Sequence, residues 1–172
     1  MPSTDYVMRF RLLDEITDLK LGCSIVATKL LRPDEDYLKD HFPKFPVMPG
    51  VLMLEAMFQA SAWLVRATDA FDHPIVVMKE VRSIKYASFL APNQVLTVSA
   101  EISKQDGKTT SLKVQGVVDK VVAVSGRLVL ERFKLGDRYP NDGTIDPYAR
   151  DCTKLEFARL WKDEMPALLG ER

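Results

Sequence analysis

Histidine and cysteine are scarce in this chain, two of each among 172 residues, and that scarcity excludes whole classes of chemistry. Cys23 and Cys152 lie far apart in sequence and form no metal-type cluster, so both read as reduced thiols of a cytoplasmic protein rather than a disulfide. Two distant histidines, His41 and His73, do not make a metal site. A Gly-rich phosphate loop is absent, as is a nucleophile elbow. Charge of one sign is not in excess: 24 Lys and Arg balance 24 Asp and Glu, which predicts no bulk attraction to nucleic acid or to an anionic membrane. Every apolar run breaks off before the ~18 residues that a membrane span needs. The opening MPSTDYVMRFRLLDEI has no basic region leading into a long apolar segment, so no signal peptide is expected.

What is present is an ordinary globular composition, 47% hydrophobic and 28% charged, enough for one domain with a sizeable core. Residues 6–20 read as a short amphipathic helix or turn leading into a strand at 24–31, followed by a polar loop at 32–40. Four Val-rich, alternating segments follow at 75–86, 95–104, 109–118 and 120–132. The turn QDGK at 105–108 is expected to take its positive φ angles from Asp-Gly, with Asp119-Lys120 as a weaker second turn. Strands this close in sequence pair antiparallel, which predicts an α+β sheet.

Between the first strand and the later four lies a segment whose residues Val51 to Val65 include only three polar side chains, Glu55, Gln59 and Ser61. A helix apolar nearly all round is buried on most sides, and a sheet curled around it meets that demand. The outer face of such a sheet is covered by solvent or by a second subunit. Residues 133–172 differ in character: Pro, Gly and Asp punctuate them, and Thr153-Lys154-Leu155-Glu156 matches a capping box. A helix starting there would align Leu155, Ala158, Trp161 and Met165 in one stripe before Pro166, giving a docked accessory helix.

The stretch HFPKFPVMPGVLMLEAMFQA, 41–60, carries the candidate chemistry. Pro43, Pro46 and Pro49 fix φ and remove backbone donors, so this lead-in cannot be helical until Pro49 opens a helix at Gly50. The free amides of that first turn, with Pro49, Gly50 and Val51, make a place to polarise a carbonyl oxygen. Glu55 follows about 7.5 Å along the axis, within the buried run, and Gln59 shares its face one turn later. An apolar setting favours the protonated carboxyl, while a neutral His41 can accept a proton. Carbonyl holder, base and acid together suit proton abstraction α to a carbonyl with loss of a β-leaving group. Against this stand blander readings, with His41 as a loop residue, Glu55 as a structural partner of an amide or Arg, His73 as an exposed turn residue and the methionines as core filler.

His41-Phe42-Pro43, Pro46, Pro49-Gly50-Val51-Leu52 and Glu55 reproduce H-F-P-x-x-P-x-x-P-G-V-L-x-x-E over fifteen positions, which resembles the signature of the 3-hydroxyacyl-acyl-carrier-protein dehydratases of bacterial fatty-acid synthesis. A weaker resemblance runs over residues 7–132, leaving 133–172 as a C-terminal extension of a 1–132 domain. The resemblance implies the hot-dog fold, a curved antiparallel sheet around a long helix. It also implies a homodimer or trimer of dimers, an acyl carrier protein as partner, and no cofactor. Carried over, His41 is the base, Glu55 the acid given by the other subunit, and the Gly50 amide the holder of the thioester oxygen. Asp40 stands where the family usually has Gly, and Lys79-Glu80 where it often has a small pair. Two other functions fit the same fold: thioester hydrolysis with Glu55 activating water, and a non-catalytic carrier-binding subunit.

Overall fold

The computed structural model describes residues 10–162. Six strands form one antiparallel sheet in the order β1-β2-β4-β5-β6-β3, with β1 at Glu15–Lys20, β2 at Ser24–Leu30, β3 at Ile75–Tyr86, β4 at Val95–Asp106, β5 at Thr109–Val118 and β6 at Val121–Phe133. A 19-residue helix, α1 (Gly50–Thr68), lies against β2 to β6. Alternate residues of β5 (Thr110, Leu112, Val114, Gly116, Val118) point inward, while Lys113 and Gln115 face out, so one face of the sheet carries the core. This is the α+β, sheet-around-helix arrangement expected from the residues.

Of the segment expected to be a helix or turn at 6–20, residues 10–14 form a turn and irregular chain and Glu15–Lys20 is instead the strand β1. Its pairing with β2 slips between Ile16 and Asp18, a bulge that leaves Thr17 and Asp18 both outward and returns Leu19 inward. The inserted residue turns a spacing of two into a spacing of three, which on sequence alone mimics a helical face. The polar loop contains a 3-10 turn, Asp36–Lys39, that buries Leu38. Above it the buried Lys29 donates from Nζ to Glu35 Oε1 at 2.5 Å.

Helix α1 is buried at every position from Ala60 to Val65, but its first half differs from expectation: Val51 is exposed and Leu52, Leu54, Glu55, Phe58 and Gln59 are half-buried. The chain's own sheet does not cover that side. At the far end Ala70 and Phe71 both take positive φ, and the Phe71 amide donates to the Arg66 carbonyl at 2.8 Å, closing the helix. Burial of the whole Phe71 ring offsets the strain of that left-handed backbone.

Both expected hairpin turns form, with different backbone geometry. Asp106 stays in β4 and only Gly107 takes positive φ, at 54°, whereas Asp119 and Lys120 take 48° and 68°. The second turn is therefore the one with both central residues left-handed, the geometry that suits a twisted two-residue hairpin.

After β6 the chain forms α2 (Leu135–Arg138), a 3-10 turn and α3 (Asp146–Leu160). The capping box at Thr153 is not a helix start: Thr153 sits inside α3 and its hydroxyl donates to the Arg150 carbonyl at 2.9 Å. The helix opens at Asp146-Pro147, and Asp146 instead accepts from the Leu135 and Gly136 amides at 2.6 and 2.9 Å, capping α2. The face of α3 that packs is Glu156, Phe157 and Leu160, while Leu155 and Ala158 of the expected stripe are exposed. Met165 and Pro166 lie outside the described residues. Phe157 seats against the rings of Trp63 and Phe71, with centroids 6.0 and 5.3 Å apart. Among the described residues no helix is long and apolar enough to cross a membrane.

Candidate active site

The proline-rich lead-in is a closed loop pinned at His41 and Val47. The His41 amide donates to the Tyr37 carbonyl at 3.1 Å, and the Val47 amide donates to the His41 carbonyl at 3.2 Å. The imidazole returns the contact: His41 Nδ1 lies 3.1 Å from the Val47 carbonyl oxygen. A carbonyl only accepts, so Nδ1 carries the hydrogen and the neutral ring keeps its lone pair on Nε2. The half-buried ring lies 4.4 Å from that of Phe42. The loop thus presents His41 with one nitrogen committed to the backbone and the other able to accept a proton.

Beyond the loop, the Met48 amide donates to the Leu90 carbonyl at 2.9 Å, and Pro49 enters α1 with φ −54° and ψ 136°. The Leu52 amide bonds the Pro49 carbonyl at 2.9 Å, so the amides of Gly50 and Val51 stand ahead of the first helical bond. Gly50 lets the Tyr86 ring close down on the helix start: a Cβ at this position would come within 2.8 Å of that ring. Tyr86, at the end of β3, therefore roofs the helix start, a role its sequence context gave no sign of. Phe45 and Phe89 meet edge to face at 5.7 Å beside it, and Phe42, Phe45, Val51 and Phe89 are all more than half exposed. So much apolar surface around a helix start marks a binding surface.

Glu55 is one and a half turns further on, and it is half-exposed in the single chain rather than buried, because no strand of its own sheet covers that stripe. Its Oε1 accepts from Gln59 Nε2 at 3.0 Å, the bond that the four-residue spacing predicts. Gln59 is itself clamped: its Oε1 accepts from the Leu12 amide at 3.0 Å and its Nε2 donates to the Phe10 carbonyl at 2.8 Å. Among the described residues no hydrogen bond or ion pair joins His41 to Glu55 within one chain. His41, Pro49, Gly50 and Val51 cluster at the head of α1, while Glu55 and Gln59 share the stripe left uncovered. His73 is not a free turn residue, since its Nδ1 lies 2.9 Å from Asp69 Oδ2. Both cysteines are free thiols, and no group of His, Cys, Asp and Glu among the described residues is arranged to hold a metal ion.

A curved antiparallel sheet around one long helix, with the helix start beneath it as the candidate site, is the hot-dog fold. The FabA-like domain family matches residues 6–131, and the chain belongs to that family. It is 34% identical over 119 residues to the 3-hydroxyacyl-[acyl-carrier-protein] dehydratase FabZ of Ruminiclostridium cellulolyticum, covering 69% of this chain and 84% of that protein. It is 35% identical over 122 residues to the protein of the same name from Clostridium botulinum (strain Loch Maree / Type A3), covering 71% of this chain and 81% of that one. Among solved structures, the dehydratase heterocomplex ApeI:P from Xenorhabdus doucetiae superposes with a TM-score of 0.59 at 18% identity, covering 74% of this chain and 86% of that one. A hypothetical thioesterase protein with coenzyme A from Streptococcus pneumoniae TIGR4 superposes at 0.54 and 17% identity, covering 69% and 86%. At these identities the superpositions speak for the fold alone.

Proposed function

We propose that this chain dehydrates a 3-hydroxyacyl thioester, carried on the phosphopantetheine arm of an acyl carrier protein, to the trans-2-enoyl thioester in the cytoplasm. The observation that carries the reading is the His41–Val47 contact, which leaves a basic nitrogen at the mouth of a helix whose first amides have no hydrogen-bond partner among the described residues. The amides of Gly50 and Val51, at the positive end of α1, take the thioester oxygen and stabilise the enolate that forms. His41 Nε2 accepts the α-proton. The electron pair left on the α-carbon then forms the new double bond as the β-hydroxyl departs. Glu55 supplies the proton with which that hydroxyl leaves as water. Gln59 holds Oε1 of this carboxyl, so the transferable proton belongs on Oε2. No metal or cofactor enters any step.

Glu55 belongs to the site of a second subunit in this reading. Two features support a homodimer, on its own or in a trimer of dimers: the half-exposed stripe of α1, and the twelve-residue β3, which stands at a sheet edge with a row of backbone groups that no described strand pairs. In this reading the hot-dog unit is 1–132 and 133–172 is an extension, whose described part packs on the domain through Phe157.

The reverse reaction tests the activity. Addition of water to an enoyl thioester on acyl carrier protein should abolish the conjugated absorbance and yield the 3-hydroxyacyl product. His41→Ala and Glu55→Gln should each lower the rate about 10²–10⁴-fold. Free thiol in place of the hydroxyacyl product would identify thioester hydrolysis, and tight carrier binding without turnover would identify a binding subunit. Either result ends the dehydratase reading.

A further inference from the structure

The C-terminal extension reaches the candidate acid through a continuous set of contacts. Glu156 lies on the packed face of α3, with its side chain 7% exposed. Its Oε1 accepts a hydrogen bond from Arg11 Nε, and its Oε2 lies 3.4 Å from Arg159 Nη1. Arg11 is flanked by the two backbone groups that clamp Gln59: the Phe10 carbonyl before it and the Leu12 amide after it. The Leu12 N–H only donates, so it must face Gln59 Oε1. That orientation turns the Gln59 amino group toward the Phe10 carbonyl and Glu55 Oε1, at 2.8 and 3.0 Å. Among the described residues Arg11 Nη2 is buried with no hydrogen-bond partner, and the guanidinium is held through Nε by Glu156. The Arg11 side chain is 32% exposed, so removing the carboxylate takes away the counter-charge that holds it in place and frees the 10–12 segment to shift toward water.

We propose that Glu156 is a positioning residue: through Arg11 it holds the Phe10–Leu12 segment against Gln59 and so aims the Glu55 carboxyl. The proposal rests on Glu55 acting as the acid in the dehydration above. It also gives a purpose to an extension lying wholly beyond the 6–131 family match.

The same extension has a second anchor that does not lead to Gln59, which makes the proposal separable from simple docking. Asp72 lies 3.3 Å from Arg150 Nη2 and 2.9 Å from Lys134 Nζ. In the full-length protein, Glu156→Ala should lower kcat for enoyl-thioester hydration about tenfold or more, because small misplacements of a catalytic group are amplified in rate, with KM within about twofold. Glu156→Gln, which keeps an acceptor for Arg11, should fall between that variant and the parent. Asp72→Asn should leave kcat and KM unchanged. A readout that needs no turnover is the Gln59 side-chain amide in a 15N-labelled sample. Its two protons should exchange faster with water in Glu156→Ala and at the parent rate in Asp72→Asn. Unchanged Gln59 exchange in Glu156→Ala, or equal losses in Glu156→Ala and Asp72→Asn, overturns the positioning role. A parent protein without hydration activity removes the dehydratase reading instead, and the exchange comparison then decides the positioning contact by itself.

Discussion

At the residue scale the site depends on single atoms being committed elsewhere. Val47 occupies one imidazole nitrogen, Gln59 one carboxyl oxygen, and Pro49 supplies the carbonyl on which the helix starts. Gly50 contributes by having no side chain. Gly50→Ala should lower hydration activity by tenfold or more, since Cβ would displace the Tyr86 ring from above the amides. Because Tyr86 is half exposed, the ring can swing aside, and the fold should survive the change. Adding Tyr86→Ala should then recover any lost thermal stability without recovering activity, a non-additive pair measurable by melting curves and rates on the same samples. The motif residues were legible because residue type and spacing carry their chemistry. Tyr86 and Arg11 were not, since each matters through a contact made across tens or hundreds of positions.

At the level of elements, legibility tracked how faithfully periodicity reports the backbone. The strands at 75–86 and 109–118 alternate or are Val-rich, and the structure gives those same bounds. The strand β1 was hidden by its bulge, and the start of α3 by a capping sequence that falls inside the helix. In the first hairpin Gly107 takes the positive φ and Asp106 does not, because Asp106 stays paired to Thr109 within the ladder. The turn at Asp119-Lys120 holds two non-glycine residues at positive φ, which costs about 1 kcal/mol or more per residue. Lys120→Gly should therefore stabilise the protein by about 1 kcal/mol and raise Tm by roughly 2–4 °C, as differential scanning calorimetry can check. Leu64, fully buried in α1, bounds the opposite effect: Leu64→Ala should cost about 2–5 kcal/mol in a denaturant titration.

At the scale of the whole molecule the proposed site calls for a second subunit. Glu55 and its stripe are half-exposed, and among the described residues no strand pairs with the outer edge of β3. If subunits exchange these residues, refolding inactive His41→Ala together with inactive Glu55→Gln should regain activity. A mixed dimer then has one site with both groups intact. Activity should rise toward about a quarter of the parent value under random pairing, with mass spectrometry confirming the mixed species. Full inactivity of verified mixed dimers would place both groups in one chain.

The contact of α3 with the start of the fold has a topological consequence. Arg11 touches Glu156, and Lys162 Nζ lies 3.8 Å from Glu15 Oε1, so the two extremities of the described polypeptide sit side by side. A short flexible tether could join them and a new opening be cut at Gly107-Lys108, where the glycine has open space around it. Such a rearranged gene product should fold into the same shell, its beginning and finish moved to a hairpin tip far along the chain from every group implicated in turnover.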